Sequence, residues 1–168
     1  MEPQLLYFQD DGNIPNSKLP VLIYKGCFST KGEPGAKWLE ERFAENNWKN
    51  SWRNGVFDYH HYHSNTHEVL GVYIGKALLQ LGGEKGEKLE VSAGDVIVIP
   101  AGVAHKNLGS EDFAVVGAYP EGRSHDMNTG EDSERPQTDK NITAVPIPEY
   151  DPVKGKEGGL NKFWNSIK

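Results

Sequence analysis

Two histidines, a glutamate and a third histidine stand at spacings that let them close around one metal ion. The chain reads Gly55, five residues, His61-Tyr62-His63, four residues, Glu68, six residues and Gly75. After 18 further residues come Gly94, five residues, Pro100-Ala101-Gly102, two residues and His105. Side chains alternate faces along an extended strand, so His61 and His63 project the same way. His105 arrives on a later strand entered through a Gly-Asp turn. Imidazoles with one carboxylate suit a single divalent transition metal such as iron, manganese, nickel or zinc. Four ligands leave about two positions of an octahedron for water or substrate. Such openness separates a catalytic metal from a closed structural one.

Glu68 carries a condition. It lies five residues after His63, an odd offset that would turn it to the opposite face of an unbroken strand. Ser64-Asn65-Thr66 must therefore hold a turn or bulge, and these residue types favour one. Glu68, or a hydroxide on the ion, is then the candidate catalytic base. His60 should face away from His61, and His67 lies in or just after the turn. Both are expected at the surface, or holding a ligand through its other ring nitrogen, with His67 the stronger rival. His125 sits in a polar segment and is expected to face solvent. Tyr62, Tyr73, Gln80, Tyr119 and Arg123 could shape a pocket, although aromatics on strands are more often core. His67-Glu68-Val69-Leu70-Gly71 lacks the second histidine of a metalloprotease helix.

The elements that must position these residues are mostly short strands. Residues 4–9 and 19–25 read as apolar strands around a polar turn, Asp11 to Ser17. Trp38, Leu39, Arg42 and Phe43 recur at helical spacing, with Pro34 able to occupy the first turn and Asn46-Asn47 a stop. From Val56 to Tyr119 strands are expected at 69–74, 77–81, 88–91, 96–99 and 113–119, split by glycine-rich turns. The glycines in 82–86 lack the Lys-Ser/Thr and helix start of a phosphate loop, so a hairpin is expected there. Residues 121–139 read as polar loop. The tail from Ile142 to Lys168 has anchors at Val145, Ile147, Leu160 and Trp164, so it should dock on the barrel or on a second subunit.

The two histidine segments resemble the two sequence motifs of the cupin superfamily. Gly55 to Gly75 matches the first at every fixed position; Gly94, Pro100, Gly102 and His105 match the second. The second departs at its last position, where Gly109 replaces the usual asparagine and Asn107 stands two residues early. Asp11-Gly12-Asn13-Ile14-Pro15-Asn16, Leu19 to Tyr24, His67 to Tyr73 and Gly117 to Gly122 are similar to the YjlB type of bacterial single-domain cupin, a likeness covering nearly the whole chain. The resemblance implies an all-β fold: a single cupin (double-stranded β-helix, or jelly-roll) barrel with one flanking N-terminal helix. Residues 1–54 would supply N-terminal strands and the helix, 55–120 the barrel core with both motifs, and 121–168 a loop and docking tail. It also implies a metal held in the barrel mouth and, with weak support from the apolar N-terminal strands, a homodimer formed through residues 4–25.

Composition narrows the partners. A chain of 168 residues is one domain by size, and it shows no internal repeat. A net charge of -6 with no basic block argues against nucleic acid. No apolar run reaches membrane-spanning length, no leader sequence is evident, and Cys27 is alone, so a cytoplasmic location is expected. The expected partner is a small-molecule ligand. The function read from the site is a small-molecule metalloenzyme of the dioxygenase or isomerase/decarboxylase type. The alternative is a barrel that binds a metabolite or metal without turnover.

Overall fold

The computed structural model describes residues 1–165; Ser166, Ile167 and Lys168, the end of the expected docking tail, lie outside the described residues. Strands β1 (Gln4–Leu6) and β2 (Val21–Tyr24) lead into helix α1 (Gly32–Glu45). Then follow β3 (Trp48–Asn54), β4 (Glu68–Leu81), β5 (Glu87–Ser92), β6 (Val96–Ile99) and β7 (His105–Pro120). All pairings are antiparallel, in the order β1-β2-β6-β4-β7-β3, with β5 on β4. The result is a single cupin jelly-roll domain.

Strand β4 organises the sheet. Its first residues, Glu68–Gly71, pair with β6; its last, Lys76–Leu81, pair with β5; β7 follows its other edge throughout. The change of partner falls at Gly75, where φ is 75° and the β4–β7 register shifts. A side chain there would meet the carbonyl oxygens of Glu111 and Asp112 at 2.3 Å. Residues 69–74 and 77–81, read from sequence as two strands, are therefore one bulged strand. Likewise β7 begins at His105 and not at 113.

Both faces of the central strands are covered. Val21, Ile23, Leu70, Ile97, Ile99 and Val115 fill the barrel interior. Their neighbours Leu22, Tyr24, Val69, Val96, Val98 and Val116 pack outward under α1 and the C-terminal tail. The apolar runs are continuous for this reason: a strand buried on both faces has no polar side to alternate with. On α1, Leu39 and Phe43 are buried, Trp38 stacks on Phe28 at 5.1 Å, and Arg42 Nε donates to Val153 O at 2.6 Å. Asn47, at φ 63°, turns the chain out of the helix.

The tail docks on its own chain. The Asp151 carboxylate accepts from Tyr24 Oη (2.6 Å) and from the backbone N–H groups of Val153, Lys154 and Leu160. Trp48 Nε1 donates to Tyr150 O and Trp164 Nε1 to Pro20 O, each at 2.9 Å. Two elements depart from expectation. β3 has no counterpart among the expected strands, its sequence being mostly polar. The expected loop 121–139 contains a 3-10 turn at Asp132–Glu134 and the start of α2 (Gln137–Ala144). This helix is fixed by polar contacts, Thr138 Oγ1 against Tyr62 Oη and Arg135 against Asp139, so no apolar period announces it. A short α3 (Gly159–Phe163) carries Leu160 into the core.

Helix α1 and β4 meet at Gly71, where a Cβ would lie 2.5 Å from Leu39 Cδ2. Leu39→Ala should lower unfolding free energy by about 2–5 kcal/mol in urea denaturation. Gly71→Ala should also destabilise, and the double variant should lose less than the sum, because removing Leu39 vacates the space the new methyl needs.

Candidate metal centre

His61, Tyr62 and His63 run as a short bridge between the start of β7 and Asn128. His61 exchanges backbone hydrogen bonds with His105 (3.2 and 3.0 Å), and Tyr62 does so with Asn128 (2.9 and 3.0 Å). Alternation puts Tyr62 on the far face, buried with its hydroxyl against Thr138 and Glu134. His61 and His63 project together towards His105. One donor atom from each of the three lies within 4.8 Å of the others, and all three side chains are buried.

Their tautomers are set by the backbone. Nδ1 of His61 faces Tyr59 O at 3.0 Å, that of His63 faces Asp126 O at 2.6 Å, and that of His105 faces Val103 O at 3.3 Å. A carbonyl only accepts, so each Nδ1 carries the proton and each Nε2 keeps its lone pair when the ring is neutral. This is the arrangement metal-binding imidazoles use, the second nitrogen holding ring orientation.

Glu68 joins them because the chain bends at Ser64 and Asn65. Asp126 pins that bend: its carboxylate accepts from the Ser64 backbone N–H and hydroxyl, and its own N–H donates to Asn65 Oδ1. The bend resets the register, and Glu68 Oε1 lies 3.3 Å from Nε2 of both His63 and His105. The Tyr119 hydroxyl also bonds Glu68, while accepting from Trp52 Nε1 at 2.9 Å. Room for that indole comes from Gly117, where a Cβ would stand 2.3 Å from Trp52 ring atoms.

The electrostatics follow from this crowding. Burial works to raise the Glu68 pKa, but Nε2 of His105 and of His63, each a donor to the carboxylate when its ring is charged, outweigh burial, and the net direction is down. For His63 burial favours the neutral ring, yet Glu68 raises the pKa overall. His61, buried and facing His105, is pushed down to about 3. Tyr119 is raised, first by burial and then by the Glu68 charge, so it stays a hydrogen-bond donor.

The other histidines separate clearly. His60 Nε2 meets Glu84 Oε1 at 2.8 Å, away from the cluster. His67 is a core residue: Nδ1 accepts from Ala101 N–H at 2.9 Å, Nε2 donates to Pro146 O at 3.2 Å, and the ring packs on Trp164. His125, expected to face solvent, is exposed but stacks on Tyr119 and meets His63 edge-on, each at 4.8 Å between centroids. It lines a cavity of about 380 Å³ together with Trp52, Phe57, Tyr119 and Met127, with the four clustered residues in its wall. Of the five pocket candidates read from sequence, only Tyr119 lines it. Tyr73 packs with the outer core, Gln80 bonds hairpin carbonyls and Arg123 faces Asn65 O. Trp52 and Phe57 line it too and are not among the sequence candidates. Trp52 belongs to β3, and its one visible signal is a second tryptophan in the otherwise polar run Trp48–Asn54.

His67→Leu would leave the buried Ala101 N–H without an acceptor, a loss of about 1–3 kcal/mol by chemical denaturation. Burial lowers the His67 pKa from 6.5 to about 4. Its stabilising contribution should therefore be complete above pH 6.5 and be withdrawn as pH falls towards 4, and the variant should lack that part of the acid dependence.

The chain is similar to several known proteins. A family model described as the cupin domain matches residues 53–117. A solved structure of acireductone dioxygenase from Bacillus anthracis, with a cadmium ion in its active centre, covers 62% of this chain and 79% of its own at 17% identity, with a TM-score of 0.42. One of oxalate decarboxylase OxdC from Bacillus subtilis covers 69% of this chain and 29% of its own at 20% identity, with a TM-score of 0.39. The uncharacterised protein YjlB of Bacillus subtilis (strain 168) is 45% identical over 166 residues, 97% of each chain. The chain thus belongs to the cupin superfamily, in the family of YjlB.

Proposed function

We propose that this protein is a small-molecule metalloenzyme whose ion is held by His61, His63, His105 and Glu68. The observation that carries the reading is the set of three buried imidazoles, each with Nδ1 committed to a backbone carbonyl and Nε2 left for another partner. Such second-nitrogen partners are the normal support of histidine ligands. The buried carboxylate beside them supplies a fourth ligand and the negative charge that a divalent cation would offset.

The ion, one of iron, manganese, nickel or zinc, would act as a Lewis acid or as a redox centre for dioxygen chemistry. Dioxygenase and isomerase or decarboxylase reactions are both compatible with the donor set. The residues around it have separate tasks. Tyr119, itself held by Trp52, fixes the Glu68 carboxylate through a hydrogen bond. Glu68 is the candidate base, since it is ionised and faces the cavity. His125 stacks on Tyr119 at the cavity wall, where it can exchange protons with solvent.

The same proposal includes a homodimer formed through residues 4–25, whose first strand, β1, stands at one end of the strand order among the described residues. It also includes a cytoplasmic location; no helix among the described residues is long and apolar enough to cross a membrane.

Protein purified without chelators should contain near one transition-metal ion per chain by elemental mass spectrometry. His61→Ala and Glu68→Ala should both lose it. Protein that is metal-free and refuses added metal would overturn the enzyme reading. If metal is bound but no dioxygen is consumed and no candidate substrate turns over, capture of a metabolite replaces catalysis. Tyr119→Phe should weaken metal binding by about 10–100-fold, the usual effect of removing a ligand's outer partner. Its thermal midpoint should move far less than that of Leu39→Ala.

A further inference from the structure

The wall of the cavity restricts what can enter. Apart from histidines, its charged lining residues are Arg53 and Glu68. Arg53 is already engaged outside: its guanidinium meets Glu33 at 2.6 Å and Glu40 at 2.8 and 2.9 Å. Asn54 is also turned to the backbone, its Oδ1 accepting from Gly55 N–H. No lining lysine or arginine therefore offers its charge to a carboxylate or phosphate within the cavity.

The open side is aromatic. Phe57 is 50% exposed and Tyr59 43%, and the two rings stack at 5.1 Å with 15° between planes. Both meet His61 edge-on, at 5.2 and 5.7 Å. Met127, 42% exposed, lines the same cavity as Phe57. Large apolar groups left in water at the rim of a cavity mark a surface that something apolar covers. A volume near 380 Å³ is at the small end of the roughly 300–1,000 Å³ of ligand pockets.

We infer that the ligand is a small aromatic molecule whose ring lies against Phe57 and whose oxygen substituents face the cluster of His61, His63, His105 and Glu68. The inference rests on the metal reading above and deepens it by naming the substrate class. A phenolic head matches the inner end, where Tyr119 and Glu68 provide hydrogen-bonding groups beside the ion. The ring matches the rim, where stacked or edge-on aromatic contacts and a thioether suit a flat apolar body. A compact dicarboxylate would leave the aromatic rim uncovered and find no side-chain cation.

The test uses protein loaded with Zn²⁺, which is redox-inert, under anaerobic conditions. 4-Methylcatechol and oxalate are titrated separately by calorimetry, with Zn²⁺ binding measured first. 4-Methylcatechol should bind at least tenfold tighter than oxalate. Phe57→Ala should weaken it about threefold to tenfold, the worth of one aromatic pair, and by a clearly larger factor than it weakens oxalate on the same Zn²⁺-loaded variant. Phe57→Tyr should restore it. Zn²⁺ bound normally, with oxalate preferred or with 4-methylcatechol indifferent to Phe57→Ala, overturns this inference alone. Failure to bind Zn²⁺ overturns the metal reading and this inference together.

Discussion

A carboxylate removed from water carries a desolvation cost of several kcal/mol unless charge and hydrogen bonds are returned to it. Glu68 is only 3% exposed, and the surrounding architecture can be traced to that burden. Two imidazole nitrogens stand 3.3 Å from one of its oxygens, and a tyrosine hydroxyl adds a third partner. Each partner is fixed by something further out: His63 by the Asp126 carbonyl, His105 by Val103, Tyr119 by Trp52. Trp52 in turn depends on a glycine beneath its ring. The rigidity that a preorganised centre requires thus comes from ordinary backbone groups at several points of the chain.

Those points are brought together by a sheet whose strands are sealed on both faces. One face fills the barrel; the other is covered by α1 and by the tail that follows β7. Because Tyr24, Trp48 and Trp164 anchor the tail by hydrogen bonds as well as by area, its path is specified and not merely sticky. The cavity holds His61, His63, Glu68 and His105 in its wall, with Phe57 and Met127 exposed beside them.

Much of this was legible in residue spacing. Histidines two apart on extended chain share a face, and the odd offset to Glu68 demanded the bend that Ser64 and Asn65 make. Helix α1 showed its 3.6-residue period through Leu39 and Phe43. What stayed hidden was set by long-range contacts. β3 is polar along most of its length because it borders the site and solvent. α2 is held by Thr138 and Arg135, whose partners are remote in sequence or give no apolar signal. His67 looked like a rival ligand since it adjoins Glu68; only the fold reveals that its two nitrogens are spent on Ala101 and Pro146. His125 looked like a solvent residue because nothing in its neighbours encodes the stack on Tyr119.

Asp126 ties the bend at Ser64 to a segment 62 residues further along. This long closure has a temporal meaning. A chain emerging in order would present His61, His63, Glu68 and His105 before Asp126 exists to accept from His63 Nδ1 or to hold the turn. Until then the histidines are a loose group of competing donors, and β7 has not yet been followed by the segment that caps them. The centre is thereby completed only by contacts of high sequence separation, which the chain can make once residue 126 is present. Selectivity for an ion would then be exercised by the finished barrel and not by the nascent chain.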